Sequence, residues 1–372
     1  MALPIELAEC IIDASRHHPP TLATCSLVCK RWLPRSRHHL FSSLDLSADW
    51  NPEPNSVTEF LKIIDSPKST LIPYVTTVVL SKRSWGMTPI PKILAVLARS
   101  GIRPELLHIN CPTYEPVHLP IFSASLVHLT LHLHNDMPMA TLIDHICAFP
   151  LLESLYIGGS ARFSEDLRPM AKALPPKFHA LVMCNPVFAH WVLSLDVPPM
   201  QISTLVLRYI RLPDHWAEIN QYLCSPCASG IRSLTFQGCD TSALPQQNLY
   251  RLEDLQELVI EGSGAVPAAV DLLNVLAALC RSPVCMALEM LDLFAGTEDG
   301  LRRSEQSHWH AADAVLANTA VFPRLRCVRV RVRVRTLRHP DLTTEYPIPG
   351  ALGNQLCRDL AFCHRRQILF VG

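Results

Sequence analysis

No stretch of this 372-residue chain approaches the ~18 consecutive uncharged apolar residues that a membrane-spanning helix requires. No transmembrane anchor is therefore expected. The first residues also lack a basic region leading into an apolar one, so no secretory leader is expected and a cytoplasmic or nuclear setting follows. Charge of one sign is equally missing. The 33 basic residues face 33 acidic ones at a pI near 7.2, which gives no general pull towards nucleic acid. Low-complexity tracts are absent as well. The 31 prolines are scattered between apolar stretches and indicate many short elements and few long helices.

Motifs that carry chemistry are scarce. Neither an H-E-x-x-H helix nor a G-x-S-x-G turn occurs. Gly262-Ser263-Gly264 imitates a dinucleotide-binding turn, but Pro267 stands at the third glycine position and no acid is well placed afterwards. Cys224 and Cys227 have zinc-like spacing, with His215 and Cys239 nearby, yet a second closely spaced pair is missing. The histidine pairs His17-His18, His38-His39 and His308/His310 are explained by loops and helix surfaces. Catalytic residues, cofactor-binding residues and metal ligands are all expected to be none. The 14 cysteines sit mostly in apolar segments, as Cys147, Cys280 and Cys363 do, and are expected to be free thiols in a reducing compartment.

What is present is apolar material: 49% of residues are hydrophobic and only 18% charged, enough for a large core spread over two or three domains. At the start, Pro4 suits a first helical position and Glu6 complements the helix dipole. Leu7, Cys10, Ile11 and Ala14 then recur at i, i+3, i+4 and i+7, one apolar stripe. His17-His18-Pro19-Pro20 ends that helix. Thr21 caps a second running to Lys30, with Leu22, Cys25, Val28 and Cys29 at helical spacing, and Pro34 opens a third that ends near Phe41.

Leu3-Pro4-Ile5-Glu6-Leu7, Ile11-Ile12, the run Cys25 to Trp32, and Arg37, Leu40 and Phe41 together resemble an F-box of the fungal type. The resemblance covers about residues 1–45. It implies a helical module that docks a Skp-type adaptor and, through it, a cullin-based (SCF-type) ubiquitin ligase. Leu3, Pro4, Leu7, Ile11, Leu22, Val28 and Trp32 would then divide between the module's own core and the adaptor-binding face. A module of roughly 40 residues buries too little surface for comfortable stability alone. The same stripe also fits a helical cap on the domain that follows.

Residues 46–372 repeat themselves. Apolar triplets recur as Val75-Val78-Leu80, Leu126-Leu129-Leu131, Leu152-Leu155-Ile157, Ile202-Leu205-Leu207, Ile231-Leu234-Phe236, Leu255-Leu258-Ile260, Leu288-Leu291-Leu293 and Leu325-Val328-Val330, with weaker copies at Leu107-Ile109 and Phe178-Leu181-Met183. Successive middle positions lie 22 to 29 residues apart, stretching to 33 and 37 at the end, against about 20–29 in leucine-rich repeats. Helical patterns intervene: Ser56 and Glu59 form a capping box before Phe60, Leu61 and Ile64, and further helices are predicted at 89–99, 139–148, 164–174, 186–195, 213–224, 267–281 and 308–318. The expected fold is α/β: a small all-α module followed by an irregular solenoid with a curved parallel sheet. It resembles a divergent leucine-rich repeat. The Asn or Cys that regular repeats place after the last apolar position is matched only sporadically, by Cys111, Asn135, Cys184 or Asn185, and Cys239.

Side chains flanking the third apolar position should face outward, because they alternate along a strand. These are Thr130 and His132, Tyr156 and Gly158, Val206 and Arg208, Thr235 and Gln237, Val259 and Glu261, Asp292 and Phe294, and Arg329 and Arg331. Mixed chemistry along such a row favours a protein target. Arg329, Arg331, Arg333 and Arg335 alternate with valines on one strand face and, with Arg208, would read an acidic or phosphorylated partner. A solvated outer face or a strand edge charged against aggregation is the commoner reason for such a row. The expectation is a non-catalytic substrate receptor with an unknown protein target, no nucleic acid and no membrane; the alternative is a repeat scaffold without a ligase role.

Overall fold

The computed structural model describes residues 4–46, 56–81, 90–110, 116–134, 137–159, 163–164, 174–184, 202–210, 212–239, 252–262, 268–280, 287–295, 305–335, 343–346, 348 and 350–371. The chain divides into two compact units: residues 1–168 with 172–178, and residues 169–171 with 179–372.

The first unit opens with helices α1 (Ile5–Ala14), α2 (Pro19–Val28) and α3 (Leu33–Phe41). Pro19 and Pro20 do more than stop α1. They occupy the first two positions of α2, where a missing N–H costs nothing, and the His18 ring replaces Thr21 as the cap by accepting the Thr21 N–H at 3.3 Å. Thus the cap of α2 lies three residues, and its end two residues, earlier than predicted. Ile12, Leu22 and Cys25 form the core of this module, with Trp32 and Leu40 packed against it. The apolar stripe read on α1 points away from this core: Ala8 and Ile12 are buried, while Leu7, Cys10, Ile11 and Ala14 are exposed. Two neighbouring stripes of this helix are apolar, and small Ala8 beside Ile12 suits the closer packing.

Asp13 ties α1 to α3. Arg35 donates to both its oxygens, Nε to Oδ1 at 2.6 Å and Nη2 to Oδ2 at 2.7 Å, and His39 Nε2 lies 2.7 Å from Oδ1. The Arg35 hydrogen bonds, and then that of His39, hold the Asp13 carboxyl well below the usual carboxylate range. A value depressed in the folded state contributes stability that is complete above the unfolded carboxylate value and is lost as pH falls through the folded one. Acidification below about pH 4 is therefore expected to loosen α1 from α3. Amide-exchange protection of these helices should fall with acid in the native protein and change much less in Asp13→Asn; parallel profiles would refute this.

Strand β1 (Ser43–Asp45), which the sequence reading missed, follows α3 directly. The Ser42 carbonyl accepts the N–H groups of Thr76 and Thr77 at 3.0 and 2.9 Å, joining the helical module to the strands of its own unit. After helix α4 (Ser56–Ile64) come β2 (Thr77–Ser81), α5 (Ile90–Arg99), β3 (Leu106–Asn110), β4 (His128–Leu133), the two-residue β5 (Met137–Pro138), α6 (Met139–Cys147), β6 (Ser154–Gly159) and β7 (Phe163–Ser164). Strands β1, β2, β3, β4 and β6 pair in parallel and in sequence order, while β5 pairs with β7.

The second unit contains β8 (Ala180–Met183), β9 (Thr204–Arg208), α7 (Leu212–Leu223), β10 (Ser233–Cys239), β11 (Glu257–Gly262), α8 (Ala268–Leu279), β12 (Met290–Ala295), α9 (Gln306–Leu316) and β13 (Cys327–Arg335). These strands also pair in parallel and in order. Beyond the predicted elements lie β14 (Thr343–Tyr346), antiparallel to β13, then α10 (Gly350–Asp359), α11 (Ala361–Arg365) and β15 (Leu369–Val371), parallel to β13. Asp313 of α9 caps α11 from outside, accepting the N–H groups of Phe362 and Cys363 at 2.7 and 3.0 Å. The helices predicted at 164–174 and 186–195 fall outside the described residues, save Ser164 and Leu174.

The repeat pattern read the register correctly. Val78, Leu107, Leu129 and Leu155 are successive Cα partners in the first unit, as are Leu181, Leu205, Leu234, Leu258, Leu291 and Val328 in the second. All are buried. The described strands alternate buried with half-exposed residues, as a sheet with one covered face and one open face requires. Among the described strands, the order follows the sequence within each unit, unlike a doubly wound sheet, whose order reverses at a switch point. The result is an α/β, solenoid-like succession of strand and helix.

One glycine is held by geometry. Gly159 has φ +101°, and a Cβ there would meet the Leu133 carbonyl oxygen of the neighbouring strand far inside contact distance. Gly159→Ala is expected to cost about 2 kcal/mol or more in urea denaturation; a cost under ~0.5 kcal/mol would contradict it.

Candidate functional site

Two surfaces have the chemistry of recognition. The first is on the helical module. Leu7 of α1 is 53% exposed, Ile11 48%, and Val28 at the end of α2 58%, with Ile5 and Leu27 also uncovered. Pro4 is exposed, Leu22 is buried in the module core, and Trp32 is half-buried against that core. Leu3 lies outside the described residues. Six of the seven residues predicted for adaptor binding are described, and they separate into a core set, Leu22 and Trp32, and an outward set, Pro4, Leu7, Ile11 and Val28. A groove of about 540 Å³ lined by Ile5, Glu9, Arg31, Pro34, Arg35 and His38 adds a polar margin between α1 and the start of α3.

The second surface is the outer face of the strands. In the first unit it is aromatic: the His108 and His132 rings stack with centroids 5.3 Å apart, and Tyr156 lies 4.9 Å from His132. The Tyr156 ring also closes over Gly158, which explains why Gly158 is buried there. His128 Nδ1 lies 2.7 Å from Ser154 Oγ on the next strand. The outward-row reading found Thr130, His132 and Tyr156 but missed His108, because the β3 triplet is a weak copy.

In the second unit the outer row runs in register as Arg208, Gln237, Glu261, Phe294 and Arg331. Several of these are less exposed than alternation implies: Arg208, Glu261, Asp292 and Phe294 are buried. Polar pairing and stacking account for three of them. Gln237 Nε2 donates to Glu261 Oε2 at 2.6 Å, Arg331 Nη2 donates to Asp292 Oδ2 at 2.6 Å, and the Arg331 guanidinium lies over the Phe294 ring at 4.4 Å. Arg329 Nη1 is 3.6 Å from the same Asp292 oxygen. Arg333 and Arg335 lie on β13 opposite Glu345 and Thr343 of β14, with side chains outside the described residues. Arg208 is therefore set apart from the arginines of β13 by three strands.

Of the thiols, Cys363 is buried, Cys147 is half-buried, and Cys280 is exposed despite its apolar neighbours in sequence. Cys239 Sγ donates to the Leu207 carbonyl on the adjacent strand at 3.2 Å, so a residue at the Asn/Cys position of a repeat does satisfy neighbouring backbone. Burial pushes its pKa up to about 12 and keeps it a thiol at neutral pH. Among the described residues, no group of three or more His, Cys, Asp or Glu side chains is arranged to hold a metal ion. Among the same residues, no helix is long and apolar enough to cross a membrane. No protein-family model and no curated protein matches the chain.

Proposed function

We propose that this protein is a substrate-receptor subunit of a cullin-based, SCF-type ubiquitin ligase, its first three helices binding a Skp-type adaptor and its strand faces binding a target protein. The observation that carries this reading is the outward stripe of α1. A helix that buries Ala8 and Ile12 in its own module while leaving Leu7 and Ile11 in water offers an apolar face to a foreign surface. Ubiquitin transfer would be a proximity effect, since holding a target lysine near a charged conjugating enzyme raises its effective concentration and requires no catalytic residue here. The chain itself then performs no chemistry.

Co-purification of the full chain with a recombinant Skp-type adaptor tests the reading. Absence of a stable complex would sink it. A second reading, an interaction scaffold without a ligase role, draws support from the continuity of α3 with β1 and the hydrogen bonds at Ser42, by which the helices also cap the first strand. On that reading the strand faces bind a partner and the adaptor is never captured.

A further inference from the structure

On the outer face of the second unit, carboxylates of β11 and β12 stand beside arginines of β13. Glu257 accepts from Ser233 Oγ at 2.8 Å and Glu261 from Gln237 at 2.6 Å, both neutral donors on β10. On β13, Arg329 and Arg331 share Asp292 of β12 unequally: Arg331 reaches it at 2.6 Å, and Arg329 stays 3.6 Å away with 41% of its side chain exposed. Among the described side chains at this point, two guanidiniums against one carboxylate leave one positive charge in excess. The register then places Phe370 of β15 directly beside Arg329, and Phe370 is 54% exposed. An arginine with uncommitted donors next to an uncovered aromatic ring is the composition found at the centre of protein interfaces.

We propose that Arg329 and Phe370 anchor an extended, carboxylate-bearing segment of a partner protein. Arg329 takes an Asp or Glu side chain of the segment bidentately, and Phe370 covers the apolar side chain beside it. Arg331, engaged with Asp292 and stacked on Phe294, holds the buried carboxylate that keeps Arg329 in place. A guanidinium and a carboxylate match one to one in charge and in their paired donors and acceptors. This assignment rests on the reading of the strand faces as the target-binding part, and it names the chemistry of that target.

The test uses the full chain and three fluorescein-labelled peptides in anisotropy titrations: one alternating glutamate with valine, its lysine counterpart, and its phosphoserine counterpart. The glutamate peptide is expected to bind, more weakly as salt rises, and the lysine peptide not to bind. Arg329→Gln should weaken the glutamate peptide roughly tenfold, and Phe370→Ala by a similar factor. Arg329→Glu should remove binding. Equal binding of the glutamate and lysine peptides, exclusive binding of the phosphoserine peptide, or unchanged binding by Arg329→Gln overturns the proposal. Adaptor capture is measured on the same samples and should be untouched by Arg329→Gln. If the adaptor is captured but the glutamate peptide is not, only this assignment falls; if the peptide binds and the adaptor does not, only the ligase reading falls.

Discussion

Replacing Leu7 and Ile11 together with aspartate is expected to abolish capture of a Skp-type adaptor while leaving the melting temperature of the protein nearly unchanged. Both side chains are about half exposed, so placing charge there removes few internal contacts. In a complex, the same carboxylates would be desolvated against an apolar surface without partners, a penalty of several kcal/mol per ion that weakens an ordinary interface by orders of magnitude. Leu22→Ala is the informative contrast. Leu22 is 1% exposed inside the cluster with Ile12 and Cys25, so its truncation is expected to cost about 2–4 kcal/mol of stability and to weaken capture only by unfolding the module. Pull-down with purified adaptor, paired with thermal melts of each variant, separates the two effects. Adaptor capture that persists in the double aspartate variant would assign the exposed stripe some other use.

A second large effect is expected at the centre of the repeat row. Leu234 of β10 is fully buried and aligned with Leu205 and Leu258 on either side, so Leu234→Ala leaves a cavity that rigid flanking strands cannot collapse. The expected loss is about 3 kcal/mol in urea denaturation. Thr235, one residue on and facing outward, should change by less than about 0.5 kcal/mol when replaced with alanine. A comparable loss at both positions would mean that the outer face is as tightly packed as the inner one. The contrast matters for function, because target recognition requires one face of the strands to stay available.

Much of the strand core was legible in sequence, since an apolar triplet with fixed internal spacing encodes both burial and register. The marks at Val78, Leu107, Leu129 and Leu155, and at Leu181 through Val328, became Cα partners without a slip, because a one-residue shift would turn every buried side chain outward. Short elements without such a triplet escaped notice. Strand β1 has only three residues, and the elements from β14 to β15 hold their places through backbone pairing with β13 and the Asp313 cap. Neither signal is periodic. At the candidate site the limit was of a different kind: all four apolar positions of the α1 stripe were legible, but periodicity left open which side of the helix meets its own core.

Composition and spacing were enough to specify a parallel α/β repeat preceded by three helices, because secondary-structure period, turn residues and burial are local consequences of side-chain type. Orientation is a property of neighbours. Only the folded chain decided that Ala8 and Ile12 turn inward and leave Leu7 and Ile11 in water, and only the register across strands decided that Asp292 satisfies Arg331 closely and Arg329 loosely beside Phe370. Those choices depend on contacts between residues far apart in sequence, and they are the ones from which a partner would be recognised.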